Sequence, residues 1–501
     1  MNATFKNRSF QPLSRNTFAL ACTFVLLFIS QVFANESKQP NIVLFFVDDF
    51  GQRDLSCYGS TLYETPNMDR LAAEGMRFTR AYASYPRCVP SRQGLLSGKY
   101  PNRLESEMIA SGNHDHHLPL SEVSFGEALG EAGYETCYIG KWHLGHEGGG
   151  PGAQGFQRVI HSGSAGATGS YFAPFEVEKG HSVLNPVDGK DGDYLTDRLT
   201  DEAVKYIGEE RTAPFLMVMA HYAVHTPLEA PAEMKKKYQK KLRKAGVEVG
   251  GKKDDPDFVT DRQGTVKTIQ NNPTYAAMVE KTDDSLGRIV KAIEDAGATD
   301  NTIVILTSDH GGLSTRGLAN GRALATSNAP LRQGKGSIFE GGTRVPLIVK
   351  WPPTVKPATV SQAQVTGTDH YPTMLQAAGL PPRPKQHVDG QSYLAALRGE
   401  DYQRAGMFWY KWQARPDSTG DTRALSYIEG QYKIIQWIDD DLVELFDLSV
   451  DEGEKNNLAA QMPEKTESML ANLLSTEQSI GNLREKGRKA LQKRLDRKKS
   501  K

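Results

Sequence analysis

Long apolar segments are missing from this chain. The longest run, Phe18 to Ile29, has 12 residues, short of the roughly 20 that cross a bilayer as a helix. Charge of one sign is missing too: 60 Lys and Arg balance 60 Asp and Glu, so the body is not a polycation built for nucleic acid. Cysteine is scarce, four in 501 residues, and no disulfide framework is implied. No internal repeat is evident.

What the amino end does have is a processing signal. Lys6, Arg8 and Arg15 precede the apolar run, and Val32-Phe33-Ala34 offers small-residue cleavage ahead of Asn35. Residues 1–34 are therefore expected to be a signal peptide cut near Ala34-Asn35, leaving a periplasmic or secreted protein with no stable membrane insertion. Cys22 lies within the run, but Ala19-Leu20-Ala21 before it is a poor lipidation box. About 467 residues then remain, enough for one large core and a smaller satellite.

Apolar runs that end in polar residues mark the organisation of the body. Asn41–Val47 is continuously apolar, as a strand buried on both faces should be, and stops at Asp48-Asp49. Similar runs cover 215–220, before His221 and His225, and 302–307, before Ser308-Asp309-His310-Gly311-Gly312. A shorter one at 135–139 leads into Gly140-Lys141-Trp142-His143. Helical patterns lie between them. One starts at Thr65-Pro66-Asn67, with a capping hydroxyl and a first-turn proline, and stops at Gly75. Another runs over 275–296 with Met278, Leu286, Ile289, Val290 and Ile293 on one side.

Strands alternating with helices predict an α/β fold, a mostly parallel central sheet with helices on both faces. Sites in such sheets form beyond the carboxyl ends of the strands, where four runs here deliver Asp, His and Lys. A further strand is expected at 346–351 and a helix at 369–379. Beyond residue 400, aromatic-rich runs at 407–412, 427–429 and 432–437 predict a smaller C-terminal α+β subdomain, an antiparallel sheet closed by a helix at 464–475. The boundaries are 35–400 for the catalytic domain, 401–480 for the subdomain and 481–501 for a basic tail, the simpler reading of which is a frayed helix. The Lys-rich stretch 235–252 reads as a solvated insertion.

The chemistry centres on Cys88-Val89-Pro90-Ser91-Arg92, continuing to Leu96-Ser97-Gly98-Lys99. Arg92 follows Cys88 by about one helical turn, so a helix beginning near Pro90 sets it beside the thiol, and a helix amino end favours oxyanions. Asp48, Asp49 and Asp309 are acceptor-only oxygen ligands suited to a hard divalent ion, and adjacent carboxylates repel unless a cation sits between them. His310, next in line, offers a softer nitrogen that suits Zn or Mn better. Lys141 and His143 alternate on an extended segment and share one face.

These motifs, with Val-His225-Thr-Pro, Lys335-Gly-Ser-Ile-Phe-Glu-Gly-Gly-Thr-Arg-Val-Pro and Glu444-Leu-Phe-Asp-Leu, resemble those of the formylglycine-dependent (type I, arylsulfatase-like) sulfatases of the alkaline-phosphatase-like superfamily. The likeness runs from Pro40 to about Leu458. It implies sulfate monoester hydrolysis, most readily on a sulfated carbohydrate, and a modifying enzyme that converts Cys88 to formylglycine (3-oxoalanine). It implies one Ca²⁺ held by Asp48, Asp49, Cys88, Asp309 and His310, the last often Asn in the family. The implied catalytic set is Cys88, Arg92, Lys141, His143, His225 and Lys335. One hydroxyl of the hydrated aldehyde attacks sulfur, His225 with Lys335 protonates the departing alcohol, and His143 takes a proton from the second hydroxyl as a covalent sulfo-enzyme releases sulfate. Arg92 is implied to hold the hydrate and Lys141 to contact sulfate.

With Cys88 consumed, Cys57 and Cys137 are left to pair in an oxidising compartment, if the fold brings them together. His114, Asp115, His116 and His117 have the spacing for a second metal site, but the preferred reading is a substrate-facing loop with His114 and His116. His221 is read as lining the pocket. Trp409, Tyr410 and Trp412 are either subdomain core or a platform for sugar rings, with Trp412 the substrate candidate. Glu340 and Arg344 are expected to shape their loop. Two rivals stand beside this reading: a phosphodiester or phosphonate monoester hydrolase of the same superfamily, and a non-catalytic glycan-binding relative.

Overall fold

The computed structural model describes residues 39–104, 117–145, 148–177, 180–250 and 257–485, with Met1 and Arg488. The expected signal segment, His114 and His116, and most of the basic tail lie outside the described residues.

The central sheet has eight strands in the order Thr359–Thr366, Met76–Tyr82, Leu347–Lys350, Thr302–Ser308, Asn41–Val47, Phe215–Ala220, Glu135–Gly140 and Arg158–Ile160. Asn41–Val47 pairs in parallel with Thr302–Ser308 on one side and Phe215–Ala220 on the other. Glu135–Gly140 and Arg158–Ile160 extend the parallel run. Leu347–Lys350 is antiparallel to both its neighbours.

Both faces of the sheet are covered, which is why its middle strands read as unbroken apolar runs. Val43, Phe45 and Val47 point to one side, where they pack with Leu199, Met278 and Leu286 of the helices Leu195–Ile207 and Pro273–Asp295. Ile42, Leu44 and Phe46 point to the other, against Leu95, Leu129 and Met374 of Cys88–Ser97, Phe125–Glu131 and His370–Ala377. The expected α/β architecture is present.

Four antiparallel strands, Met407–Lys411, Ala424–Glu429, Tyr432–Trp437 and Leu442–Asp447, form the C-terminal sheet. The last was not anticipated as a strand. One face buries Phe408, Leu425 and Leu445 under Met469 and Leu473 of Pro463–Ile480, a helix longer at its carboxyl end than expected. The other buries Met407, Trp409 and Ile435 against Tyr82, Ile338 and Phe339. Trp409 also donates from Nε1 to the Ala83 carbonyl at 2.9 Å, which ties this sheet to the segment that leads into Cys88.

Two local expectations are corrected, and the open question of a Cys57–Cys137 pair is answered. Thr65 does not cap Pro66–Glu74 through its side chain, because its hydroxyl is engaged by Ser56 and Asp69. The Lys-rich stretch opens with a helix, Ala232–Lys244, that buries Tyr238 and Leu242. Cys57, Cys88 and Cys137 are free thiols.

Candidate active site

Because the central strands run parallel, their carboxyl ends share one edge, and the residues that follow them meet there. Val47 is in register with Ser308, and Phe46 and Gly140 with Ala220. Main-chain bonds continue past the sheet: Asp309 N donates to the Val47 carbonyl at 3.2 Å and Asp48 N to the Ala223 carbonyl at 3.0 Å. The backbone then turns sharply, with Asp49 at φ 58° and its N–H on Asp309 Oδ1 at 3.1 Å. Gly311 is required by the same fold: a Cβ there would sit 1.8 Å from the Gly341 carbonyl oxygen.

Three buried carboxylates therefore converge, and cations surround them. Lys141 Nζ is 2.5 Å from Asp48 Oδ2, and Lys335 Nζ is 2.6 Å from Asp49 Oδ1. Arg92 spends its N–H groups on Asp309 Oδ2 at 3.1 Å, Asp48 Oδ1 at 3.4 Å and the Lys141 carbonyl at 2.8 Å. Burial opposes the charge of Asp48, yet Lys141 foremost, with His225 and Arg92, holds its carboxyl well below the usual range. Asp309 goes the other way: burial and the like charge of Asp48 push it well up.

Cys88 is the first residue of its helix, with Arg87 as N-cap, two positions earlier than expected. Its Sγ lies 3.2 Å from His310 Nε2 and 3.7 Å from Lys335 Nζ, and His143 is close enough to interact with it. Burial opposes its ionisation, but Lys141, Lys335 and His310 outweigh that and hold the thiol well below its ordinary value. His310 donates from Nδ1 to the Gly311 carbonyl at 3.0 Å, which turns Nε2 toward Cys88 and Asp49. Burial would lower this imidazole, but Asp309, Cys88 and Asp49 together raise it to about 9. Burial lowers His143 to about 4. His225, which donates from Nδ1 to the Thr226 carbonyl at 2.7 Å, is lowered by burial and by Lys335.

A cavity of about 300 Å³ opens over this cluster, with Cys88, His143, His225 and Lys335 in its wall. The other sequence candidates lie elsewhere. Arg92 sits behind the carboxylates, with its donors spent on them. His221 is a correction: fully buried, it bonds Ser285 Oγ through Nε2 at 2.9 Å and packs edge-on against Phe45, so it belongs to the core. Trp412 is a second correction, stacked with Tyr410 in the C-terminal core.

The donor set fits a divalent cation. Ligand atoms of Asp48, Cys88, Asp309 and His310 lie within 4.8 Å of one another, as do those of Asp48, Asp49, Cys88 and His225. Asp49 Oδ2 is buried and accepts no hydrogen bond. An unspent carboxylate oxygen and a like-charge repulsion at Asp309 are what such an ion relieves.

Sequence reasoning missed several residues here. Gly166 lets the His143 ring sit where it does, since a Cβ there would be 2.3 Å from Cε1 and Nε2 of that ring. Tyr85, Arg322, Gln413 and Arg415 line the cavity. No local pattern announces them, because loops far apart in the chain bring them together.

Paired carboxylates, ammonium groups and one activated thiol at the carboxyl edge of an α/β sheet define a hydrolase site for anionic esters. The chain belongs to the sulfatase family, and it is a sulfuric ester hydrolase: the family model described as Sulfatase matches residues 40–380. A second, described as N-sulphoglucosamine sulphohydrolase, C-terminal, matches 334–479. Among similar proteins, N-acetylgalactosamine-6-O-sulfatase of Bacteroides thetaiotaomicron is 30% identical over 509 residues, 85% of this chain and 91% of that protein. Human N-acetylgalactosamine-6-sulfatase is 30% identical over 431 residues, 80% of this chain and 72% of that protein. The solved structure of Ps i-CgsB in complex with k-i-k-neocarrahexaose superimposes with a TM-score of 0.70 at 26% identity, covering 87% of this chain and 92% of that one.

Proposed function

We propose that the protein is an exported sulfatase of sulfated carbohydrates whose nucleophile is formylglycine made from Cys88 by a separate modifying enzyme. The observation that carries the reading is the convergence of Cys88, His143, His225 and Lys335 on one cavity beside three buried carboxylates. The carbohydrate part rests on relatives named for N-acetylgalactosamine-6-sulfate chemistry and on a neighbour solved with a carbohydrate. In this reading 1–34 is removed as a signal peptide, 35–400 forms the catalytic domain, 401–480 the C-terminal subdomain and 481–501 the basic tail.

Asp48, Asp49, Asp309, His310 and the Cys88 side chain would hold one divalent cation, Ca²⁺ on the weight of three carboxylates, which when bound draws charge from the sulfate oxygens. Converted to formylglycine, residue 88 supplies a hydrated aldehyde with one hydroxyl to attack sulfur and a second to expel sulfate afterwards.

The remaining roles belong to the chain's own groups. A sulfate monoester is already an anion, so charge growing on its oxygens needs fixed cations. Lys335, between Asp49 and residue 88, faces that charge. Lys141 holds Asp48 and adds positive charge beside residue 88. Arg92 is a positioning residue for Asp309, Asp48 and the Lys141 carbonyl. His143, kept neutral by burial, is ready to accept the proton of the second hydroxyl. His225 donates Nδ1–H to a carbonyl, which leaves Nε2, 3.9 Å from Asp49 Oδ2, available at the cavity wall. An anionic ester opposite it favours the protonated form that can then serve the departing alcohol.

The test is sulfate release from a panel of sulfated mono- and oligosaccharides, with phosphate and phosphonate esters in parallel. Release from one sugar and position is expected. Hydrolysis of the phosphorus esters alone would move the protein to that branch of the superfamily.

A further inference from the structure

The cavity wall carries more positive charge than the reaction uses. Beyond Lys335 it presents Arg87, Arg322 and Arg415, and none of its lining residues is Asp or Glu. Arg87 is accounted for: Nη2 meets Asp421 Oδ2 at 2.5 Å, and Nη1 donates to the Gln413 carbonyl at 2.9 Å. Asp421 is in turn saturated, since it also accepts from Lys411 Nζ, Thr419 Oγ1 and the Arg415 main-chain N–H. No oxygen is left for the Arg415 guanidinium.

Arg322 lines the cavity with no ion pair among the described residues, and the Arg415 guanidinium has only the attraction of an Asp421 already bonded to other groups. Arg322 is fixed nonetheless. Its Nη2 donates to Thr226 Oγ1 at 2.9 Å, and Thr226 adjoins His225, the proposed proton donor to the leaving alcohol. That places the guanidinium on the alcohol side of the scissile ester. Arg415 comes from the turn after Met407–Lys411, 93 positions later in the chain, close enough to Arg87 to be repelled by it and to Asp421 to be attracted. Two forked cations facing one cavity, Arg322 without an ion pair and Arg415 sharing Asp421 with Arg87 and Lys411, match a planar or tetrahedral oxyanion better than a neutral hydroxyl, and a one-sign cleft concentrates anionic substrate.

We propose that Arg322 and Arg415 form a recognition site for a second anionic group, a carboxylate or a further sulfate, on the sugar that carries the scissile sulfate or on the ring next to it. The inference rests on the carbohydrate sulfatase reading and narrows it: the substrate class is a polyanionic glycan rather than a singly sulfated neutral one. Because Arg322 lies on the leaving-group side, an anion that it holds stays with the desulfated product.

The experiment compares sulfate release from three matched oligosaccharides: a monosulfated neutral one, one with a uronate neighbour and one with a second sulfate. Wild type, Arg322→Ala, Arg415→Ala and the corresponding lysine variants are used at equal formylglycine content, with melting curves to show that each is folded. Wild type is expected to favour at least one dianionic substrate ten-fold or more in kcat/KM, chiefly through KM. Each alanine variant should lose most of that ratio, and each lysine variant should recover part of it. The favoured arm names the anion. Equal efficiency of wild type on all three, or alanine variants that lose activity without changing the ratio, would overturn this inference and leave the sulfatase reading intact. Silence on every sugar with release from a non-carbohydrate sulfate ester would overturn both.

Discussion

A Cβ on Gly166 would stand 2.3 Å from Cε1 and Nε2 of His143, so the absence of a side chain at 166 is what holds the imidazole against residue 88. His143 is half-buried at φ 62°. Gly166→Ala is expected to push the ring off its position and lower kcat about 100-fold, the scale of a misplaced acid–base group. The melting temperature should change little. Wild-type kcat in that variant would show that His143 moves no proton.

Removal of the metal is expected to cost both activity and stability. Stripped protein keeps three buried carboxylates facing one another, and a ligand at 100 times its Kd adds about 2.7 kcal/mol to folding. Dialysis against chelator should lower the melting temperature and abolish turnover, and added Ca²⁺ should restore both. Restoration by Zn²⁺ or Mn²⁺ and not by Ca²⁺ would mean that His310 rather than the carboxylates sets the metal preference.

The C-terminal sheet is locked to the Lys335 loop by charge. Lys433 is fully buried, with Nζ 3.0 Å from Glu340 and 2.9 Å from Glu454, and Glu454 accepts the Glu340 main-chain N–H at 2.6 Å. Lys433→Met leaves Glu454 without its cation and Glu340 with only Arg344 at 3.5 Å, a loss of about 3–5 kcal/mol for a broken buried pair. Chemical denaturation should show that loss; an unchanged midpoint would mean that apolar packing alone joins the two sheets.

His221 links pH to folding. Burial depresses it to about 3, below the 6.5 of a free imidazole, so the unfolded chain binds the extra proton. Its contribution is therefore complete above pH 6.5 and is lost as pH falls toward 3. The melting temperature of His221→Leu, low at pH 7.5 because the Ser285 bond is gone, should approach that of wild type as pH drops to 5. A difference constant with pH would contradict the buried neutral imidazole.

The parts legible in the sequence are those set by burial on two faces. Asn41–Val47, Phe215–Ala220 and Thr302–Ser308 announce themselves as apolar runs, and the polar residues that end them fall at one sheet edge because parallel strands end together. What periodicity does not reveal is the direction of a side chain just beyond a strand. His221 and His225 follow the same strand, yet one turns into the core against Phe45 and the other into the cavity. Trp412 was ambiguous for a related reason: both faces of the C-terminal sheet are covered, so its aromatics read alike whether they face a ligand or a core. Tyr238 and Leu242 were hidden among lysines, where two apolar residues suffice for a helix lying on a larger body. Arg322 and Arg415 were invisible because only the tertiary fold brings their loops together.

The central claim is that residue 88 performs the chemistry as a converted cysteine. The most direct measurement is the rate of sulfate release, per mole of protein, against the fraction of Cys88 converted, read by peptide mass across preparations made with graded amounts of modifying enzyme. The account predicts a straight line through the origin, with Cys88→Ala at zero and folded. Turnover that persists at zero conversion, or in Cys88→Ala, would contradict it.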